Sequence, residues 1–169
     1  MPHNKCRQHT DRAPSAHPEA HVIGVDLSPI QPNWVPPNCS FEVDDIEQPW
    51  LWKEPFDFIH SANLALGLHD WPTYTKRMYE NLVPGGVVQL LECRLWFHSD
   101  DDTTPKGGHI ERYTDNLNRA AQRAGLRDAC EELEEYLVNA GFVDVRVTVK
   151  KFPIGPWPKD PAKKVLFEH

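Results

Sequence analysis

The chain has 169 residues, of which 40% are hydrophobic and 25% charged, close to the globular norm and enough for one domain with its own core. A net charge of −7 argues against a surface that coats nucleic acid, and no apolar run approaches the ~18 residues a membrane-spanning helix needs. Cys6, Cys39, Cys93 and Cys130 form no CxxC pair and the N-terminus lacks the apolar core of a secretory signal, so a reducing cytoplasmic or nuclear location is expected.

Residues 1–20 carry His, Pro, Arg and Ser without apolar periodicity and read as a flexible leader. Val22-Ile23-Gly24-Val25-Asp26 reads as a buried strand that delivers a carboxylate at its end. After a loop rich in Pro and Trp, Ser40-Phe41-Glu42-Val43 repeats the pattern and runs into Asp44-Asp45-Ile46-Glu47. Phe56 to His60 is a third short apolar run. Asp70 is placed to cap a helix that begins at Trp71-Pro72 and runs to about Leu82, where Pro84-Gly85-Gly86 ends it. Val87 to Glu92 then has the β-branched and apolar content of a strand.

Two more helices are expected, one carrying Ile110, Tyr113 and Leu117, the other Cys130, Leu133 and Leu137 before Gly141. Val143, Val145, Val147 and Val149 alternate as in a half-exposed strand. Strands alternating with helices indicate an open α/β sheet. Ten of the 16 prolines and four of the six tryptophans cluster at 29–37, 49–55 and 153–161, which read as ordered loops pinned by aromatic rings.

The segments "VIGVDLSPIQPNWVPPNCSFEVDD", "FDFIH", "HDWPTYTKRMYENLVPGGVVQLLE", "AGFVDV" and "FPIGPWPKD" resemble the fungal S-adenosylmethionine-dependent methyltransferases of the LaeA-like group, associated with secondary metabolism. The resemblance covers residues 21–161, leaving 162–169 as a tail, and it implies an incomplete Rossmann-like class I methyltransferase sheet with flanking helices. It also implies site roles. Asp26 would accept the ribose hydroxyls of S-adenosylmethionine, with Leu27 beside the adenine. Asp45 would face the adenine amine and Ile46 its ring, while His60 and Ser61 would follow the central strand and border the sulfonium. These residue types suit those tasks, because a carboxylate accepts two hydroxyl donors and an adenine fits an apolar slot with one polar contact.

The family pattern opens with a strand, a GxGxG-type loop and a helix before the strand that ends in the ribose acid. Residues 1–23 contain no glycine, and a loop whose backbone closely approaches a cofactor needs conformations that glycine alone reaches cheaply. The family also continues beyond "DPAKKVLFEH" into a helix and a last antiparallel strand. The missing strands belong in the middle of the sheet and inside its far side. Three explanations compete: a piece of a longer enzyme, a sheet completed by a second copy or a protein partner, and a pocket converted to cyclise or rearrange a small apolar metabolite without methyl transfer.

Each candidate also has a plainer reading. Asp26 and the 44–47 acids suit turn capping or a solvated loop. Cys6, His9, His17 and His21 loosely match zinc-ligand spacing, but no compact strand and helix unit surrounds them, so no metal is expected. His60, His69 and His98 are candidates for acid–base work. Trp34, Trp50, Trp52, Trp71, Trp96 and Trp157 either line an aromatic pocket or pin loops, and the second reading is preferred. Lys150, Lys151, Lys159, Lys163 and Lys164 suit a solvated basic face or an acidic partner.

Overall fold

A computed structural model describes residues 17–29, 35–94, 97, 105–126 and 128–151, and in it strands and helices alternate from Val22 to Ala140. β1 (Val22–Asp26) and β2 (Cys39–Val43) pair in parallel, with Gly24 opposite Phe41 and Asp26 opposite Val43. β3 (Phe56–Ala62) and β4 (Leu82–Leu91) form a second parallel pair, joined by the crossover helix α1 (Trp71–Glu80). α2 (His109–Arg123) and α3 (Leu133–Ala140) follow. This is an incomplete Rossmann-like α/β fold. The two parallel pairs remain separate sheets, because among the described residues no strand lies between them, and β1 and β3 each keep an unpaired edge.

α1 organises the core. Trp71, Tyr74, Thr75 and Met78 recur at helical spacing on its buried face, and Trp71, Tyr74 and Met78 join Leu68 and Ala129 in the core cluster. Ile59, Val88 and Leu90 reach this cluster from one face of the β3–β4 pair, and Leu133, Tyr136 and Phe142 reach it from α3 and its exit. Asp70 starts the helix as expected, its carboxylate accepting the Thr73 amide at 3.0 Å and the Thr73 hydroxyl at 2.6 Å. On the opposite face of the β3–β4 pair, Phe58, Val87 and Leu91 are more than half exposed. Parallel sheets are ordinarily covered on both faces.

An aromatic relay connects the two pairs. Trp52 donates its indole N–H to Glu42 of β2 at 3.1 Å and meets Phe56 of β3 edge-on at 5.3 Å. Trp50 packs edge-on against Trp52 at 5.3 Å and against Tyr74 at 6.0 Å, and Tyr74 meets Trp71 at 6.0 Å. Trp50, Trp52 and Trp71 therefore pin loops and helix to the core, as preferred from the sequence. Trp34, Trp96 and Trp157 lie outside the described residues.

Four expectations need correction. α1 stops at Glu80, and Pro84-Gly85-Gly86 falls inside β4 instead of ending the helix. The pairing runs from Phe56 with Leu82 to Phe58 with Val87, so the Pro-Gly-Gly segment is extra length bulged from the ladder, with Gly85 at φ +86. Cys130 lies in the turn before α3 rather than within it. The alternating valines after Gly141 form no strand: Val143 and Val149 are 84% and 86% exposed. The period-2 pattern is present, but a strand also needs a ladder partner, and none is available among the described residues.

Candidate functional site

In parallel α/β sheets ligands bind beyond the carboxyl ends of the strands, so the site is best built from those ends. β1 ends at Asp26. Its Oδ1 accepts the Ser28 amide at 2.8 Å, the turn-forming role set out from the sequence. A carboxylate offers about four acceptor positions, so this turn leaves capacity for a diol. Leu27 follows it in the chain and Val43 stands opposite it across the ladder, both exposed apolar side chains.

The next strand end is more committed to its own chain. Asp45 Oδ1 accepts the Glu47 amide at 2.9 Å and Oδ2 the Gln48 side-chain amide at 3.3 Å. Ile46 packs against the core cluster, and its carbonyl accepts the Trp50 indole at 3.0 Å. These two residues shape a tight turn beside the Asp26 end.

His60 and Ser61 lie inside β3 rather than after it, a correction that follows from the strand running on to Ala62. Adjacent strand residues face opposite sides. His60 is exposed, bonded through Nδ1 to Gln89 Oε1 at 3.0 Å and stacked on Phe58. Ser61 is buried on the core side, and the Tyr74 hydroxyl is pushed up to about 12, chiefly by burial. The two residues are therefore not brought together on one surface.

Sequence reading did not single out Glu92 as a functional residue. Immediately after β4, its carboxylate accepts the amides of Leu64 at 3.1 Å and Ala65 at 2.9 Å, fixing the loop that leaves β3. Burial holds its pKa above the usual carboxylate value, although the two amides oppose that shift. The signal was available: an acid directly after an apolar strand, the same pattern that identified Asp26. Nearby, the Cys130 thiol is pushed up to about 12, chiefly by burial and also by the Asp128 carboxylate, whose Oδ1 accepts the Cys130 amide at 3.0 Å.

A groove of about 600 Å³ runs between Arg94, the α2 residues Asp115, Asn118, Arg119, Ala121 and Gln122, and Asp128, Glu131 and Glu132. None of the residues assigned by resemblance lines it. Among the described residues no cluster of three His, Cys, Asp or Glu is placed to hold a metal, and no helix is long and apolar enough to cross a membrane. Cys6, His9 and His98 lie outside the described residues. His17 faces Glu19 at 3.4 Å on the surface.

Comparison with known proteins decides what this geometry descends from. A family model described as a methyltransferase domain matches residues 11–131. The chain belongs to that family. Methyltransferase pytC of Aspergillus terreus is 39% identical over 151 residues, 88% of this chain and 47% of the relative. The secondary metabolism regulator LAE1 of Cochliobolus heterostrophus is 36% identical, covering 86% of this chain and 48% of its own length. The protein-methionine methyltransferase laeA of Emericella nidulans is 30% identical, with 85% and 39% covered. The resemblance to the LaeA-like group is thus borne out. The chain spans about half the length of the curated relatives it matches, or less. Methyltransferase domains of this family use S-adenosylmethionine in general.

Proposed function

We propose that residues 21–161 are a portion of an S-adenosylmethionine-dependent methyltransferase of fungal secondary metabolism, working in the cytoplasm or nucleus. The observation that carries this reading is the Asp26 carboxylate at the carboxyl end of a parallel strand, set between exposed Leu27 and Val43 in a chain of the methyltransferase domain family. Asp26 binds the ribose diol and Leu27 borders the base. The Asp45–Ile46 turn forms the adenine rim, and the β3 segment at His60 and Ser61 supports the sulfonium end. When bound, the cofactor supplies a methyl carbon already activated by positive sulfur, so positioning an acceptor in line is the main task left to the protein. The acceptor is a small apolar metabolite or a protein side chain. Met78 is fully buried and is excluded as an internal acceptor.

The unpaired edges of β1 and β3 support a second element of the proposal: cofactor affinity depends on a glycine-rich strand, loop and helix, supplied by a longer form of the chain, a second copy or a partner. Calorimetric titration with S-adenosylmethionine and S-adenosylhomocysteine tests both elements. The chain alone is expected to bind weakly. Fused to a strand, glycine-rich loop and helix of the kind the family pattern carries, it should bind saturably. Asp26→Ala in the fusion should weaken binding roughly 10- to 100-fold, the loss of charge-assisted hydrogen bonds worth ~1.5–3 kcal/mol. A folded fusion that binds neither compound would sink the reading and turn the search to rearrangement chemistry or a non-catalytic docking role.

A further inference from the structure

Glu92 stands half-buried directly after β4, at the end of the strands where parallel sheets take their ligands. Its two oxygens accept the amides of Leu64 at 3.1 Å and Ala65 at 2.9 Å, and the amide just before them, that of Asn63, bonds the Leu91 carbonyl at 3.0 Å. Three consecutive amides are thus turned toward the end of β4. Asn63 holds φ +58 to allow it, a left-handed conformation that costs a residue other than glycine. The result is a carboxylate seated where the chain leaves β3.

That charge is poorly compensated. Among the described residues no Lys, Arg or His forms an ion pair with Glu92, and Arg94, two residues on, pairs with Glu131 instead. Burial raises the pKa of Glu92, the Asp128 charge adds to the effect, and the two amides offset it only in part. Glu47 shows the contrast: its carboxylate accepts the amides of His69 at 2.7 Å and Asp70 at 3.2 Å, and it also has His69 Nδ1 at 2.8 Å. A second polar group near the same strand ends lacks a partner. Ser61 is 5% exposed and its hydroxyl makes no hydrogen bond, whereas buried polar groups are ordinarily satisfied. Ser61 pairs in register with Leu90, and Glu92 follows Leu90 by two residues, so strand alternation carries both side chains toward the α1 side. An unbonded hydroxyl and an uncompensated carboxylate at the ligand end of two strands suit a ligand that brings a positive charge.

We propose that Glu92 makes the site prefer the positively charged methyl donor over its neutral product, by setting a carboxylate, with the Ser61 hydroxyl on the same side, at the sulfonium end. This rests on the methyl-donor reading above and adds a selectivity to it. S-adenosylmethionine carries a positive sulfur and S-adenosylhomocysteine a neutral one, so a fixed negative charge favours the first alone. Transfer of the methyl carbon leaves the bonding pair on sulfur and moves the positive charge to the acceptor. The attraction to Glu92 then ends, and the spent compound departs more readily.

The test is calorimetric titration of the fused chain with S-adenosylmethionine and with S-adenosylhomocysteine, read as the ratio of the two affinities. Glu92→Gln keeps the size of the side chain and one acceptor but not the charge. It should reduce the preference for S-adenosylmethionine roughly 3- to 10-fold, the scale of one ionic contact at a half-exposed site, with little change for S-adenosylhomocysteine. Glu92→Asp retains the charge and should retain most of the preference. Asp26→Ala acts on the ribose that both compounds share and should leave the ratio unchanged. In the wild-type fusion, lowering the pH from about 7.5 to about 4.5 passes below the raised value of Glu92, so the preference should shrink as the carboxylate takes up a proton. Tyr74 and Cys130, which also face Glu92, stay neutral throughout that range. A ratio unchanged in Glu92→Gln, or unchanged with pH in the wild type where the variant does not fold, overturns the inference and leaves the methyl-donor reading standing. A folded fusion that binds neither compound overturns both.

Discussion

Gly24 stands opposite Phe41 across the β1–β2 ladder, and a Cβ at that position would meet the phenyl ring at 2.4 and 2.5 Å. The glycine is there to admit the ring, not to make a turn. Gly24→Ala should therefore destabilise the chain by about 1–3 kcal/mol through overpacking, read as a lower urea midpoint, whereas Gly67→Ala, with 3.5 Å to its nearest neighbour, should leave the midpoint nearly unchanged. Equal effects at the two sites would refute the packing explanation. At this scale the sequence showed what short-range order dictates. Asp26 was legible because an acid after an apolar run marks a strand end. The opposite facing of His60 and Ser61 was not, because it depends on how far β3 extends, and the extension to Ala62 rests on pairing with Leu91. Glu47 was visible as part of an acidic run, but its partner lies 22 residues away and no local pattern connects them.

Among the elements, α1 carries the greatest share of buried contact. Trp71 is 1% exposed and Met78 is fully buried, and the cluster they belong to is packed by residues of β3 and β4 and of α3. Truncating Trp71 to Ala should cost ~3–5 kcal/mol and Met78 to Ala ~2–5 kcal/mol, a large fraction of the ~5–15 kcal/mol that keeps a domain folded. Thermal and urea unfolding check this. Loss of less than ~1 kcal/mol in both would mean that the helix is not the organising element. Its start was readable because capping chemistry is local: Asp70 before the helix and Pro72 in the first turn. The strand expected at Val143 to Val149 failed for the opposite reason, since a ladder is not local. α3 does end as the sequence indicated, with Gly141 at φ +111, a conformation glycine adopts without strain. The chain that leaves it carries the right alternation, but among the described residues it pairs with no strand.

For the molecule as a whole, the deciding feature is division. Two parallel pairs, each of two strands, are joined by aromatic packing rather than by a common ladder. Isolated two-stranded units are marginal, and the exposed Phe58, Val87 and Leu91 show that half of the β3–β4 pair lacks its usual cover. The overall class was legible because alternating strands and helices encode a parallel architecture at any length. The split accords with the absence of glycine before Gly24, where the family pattern places a glycine-rich loop. Methyl-donor binding is accordingly a property expected of the completed sheet, and the titration of the fused chain measures it.

The aromatic relay gives this divided molecule an optical signature. Edge-on rings 5.3 to 6.0 Å apart, running from Phe56 through Trp52 and Trp50 to Tyr74 and Trp71, hold their transition dipoles at fixed angles, and fixed chiral arrangements of this kind give strong near-ultraviolet circular dichroism. Because the rings span the seam between the pairs, that band reports whether the halves are docked, while the far-ultraviolet spectrum reports whether helices persist. Trp50→Leu removes the middle chromophore and should suppress the near-ultraviolet band with little change in the far-ultraviolet. A near-ultraviolet band that survives the substitution would place its source elsewhere. Light absorbed at the seam thus becomes a gauge of assembly that needs neither ligand nor label.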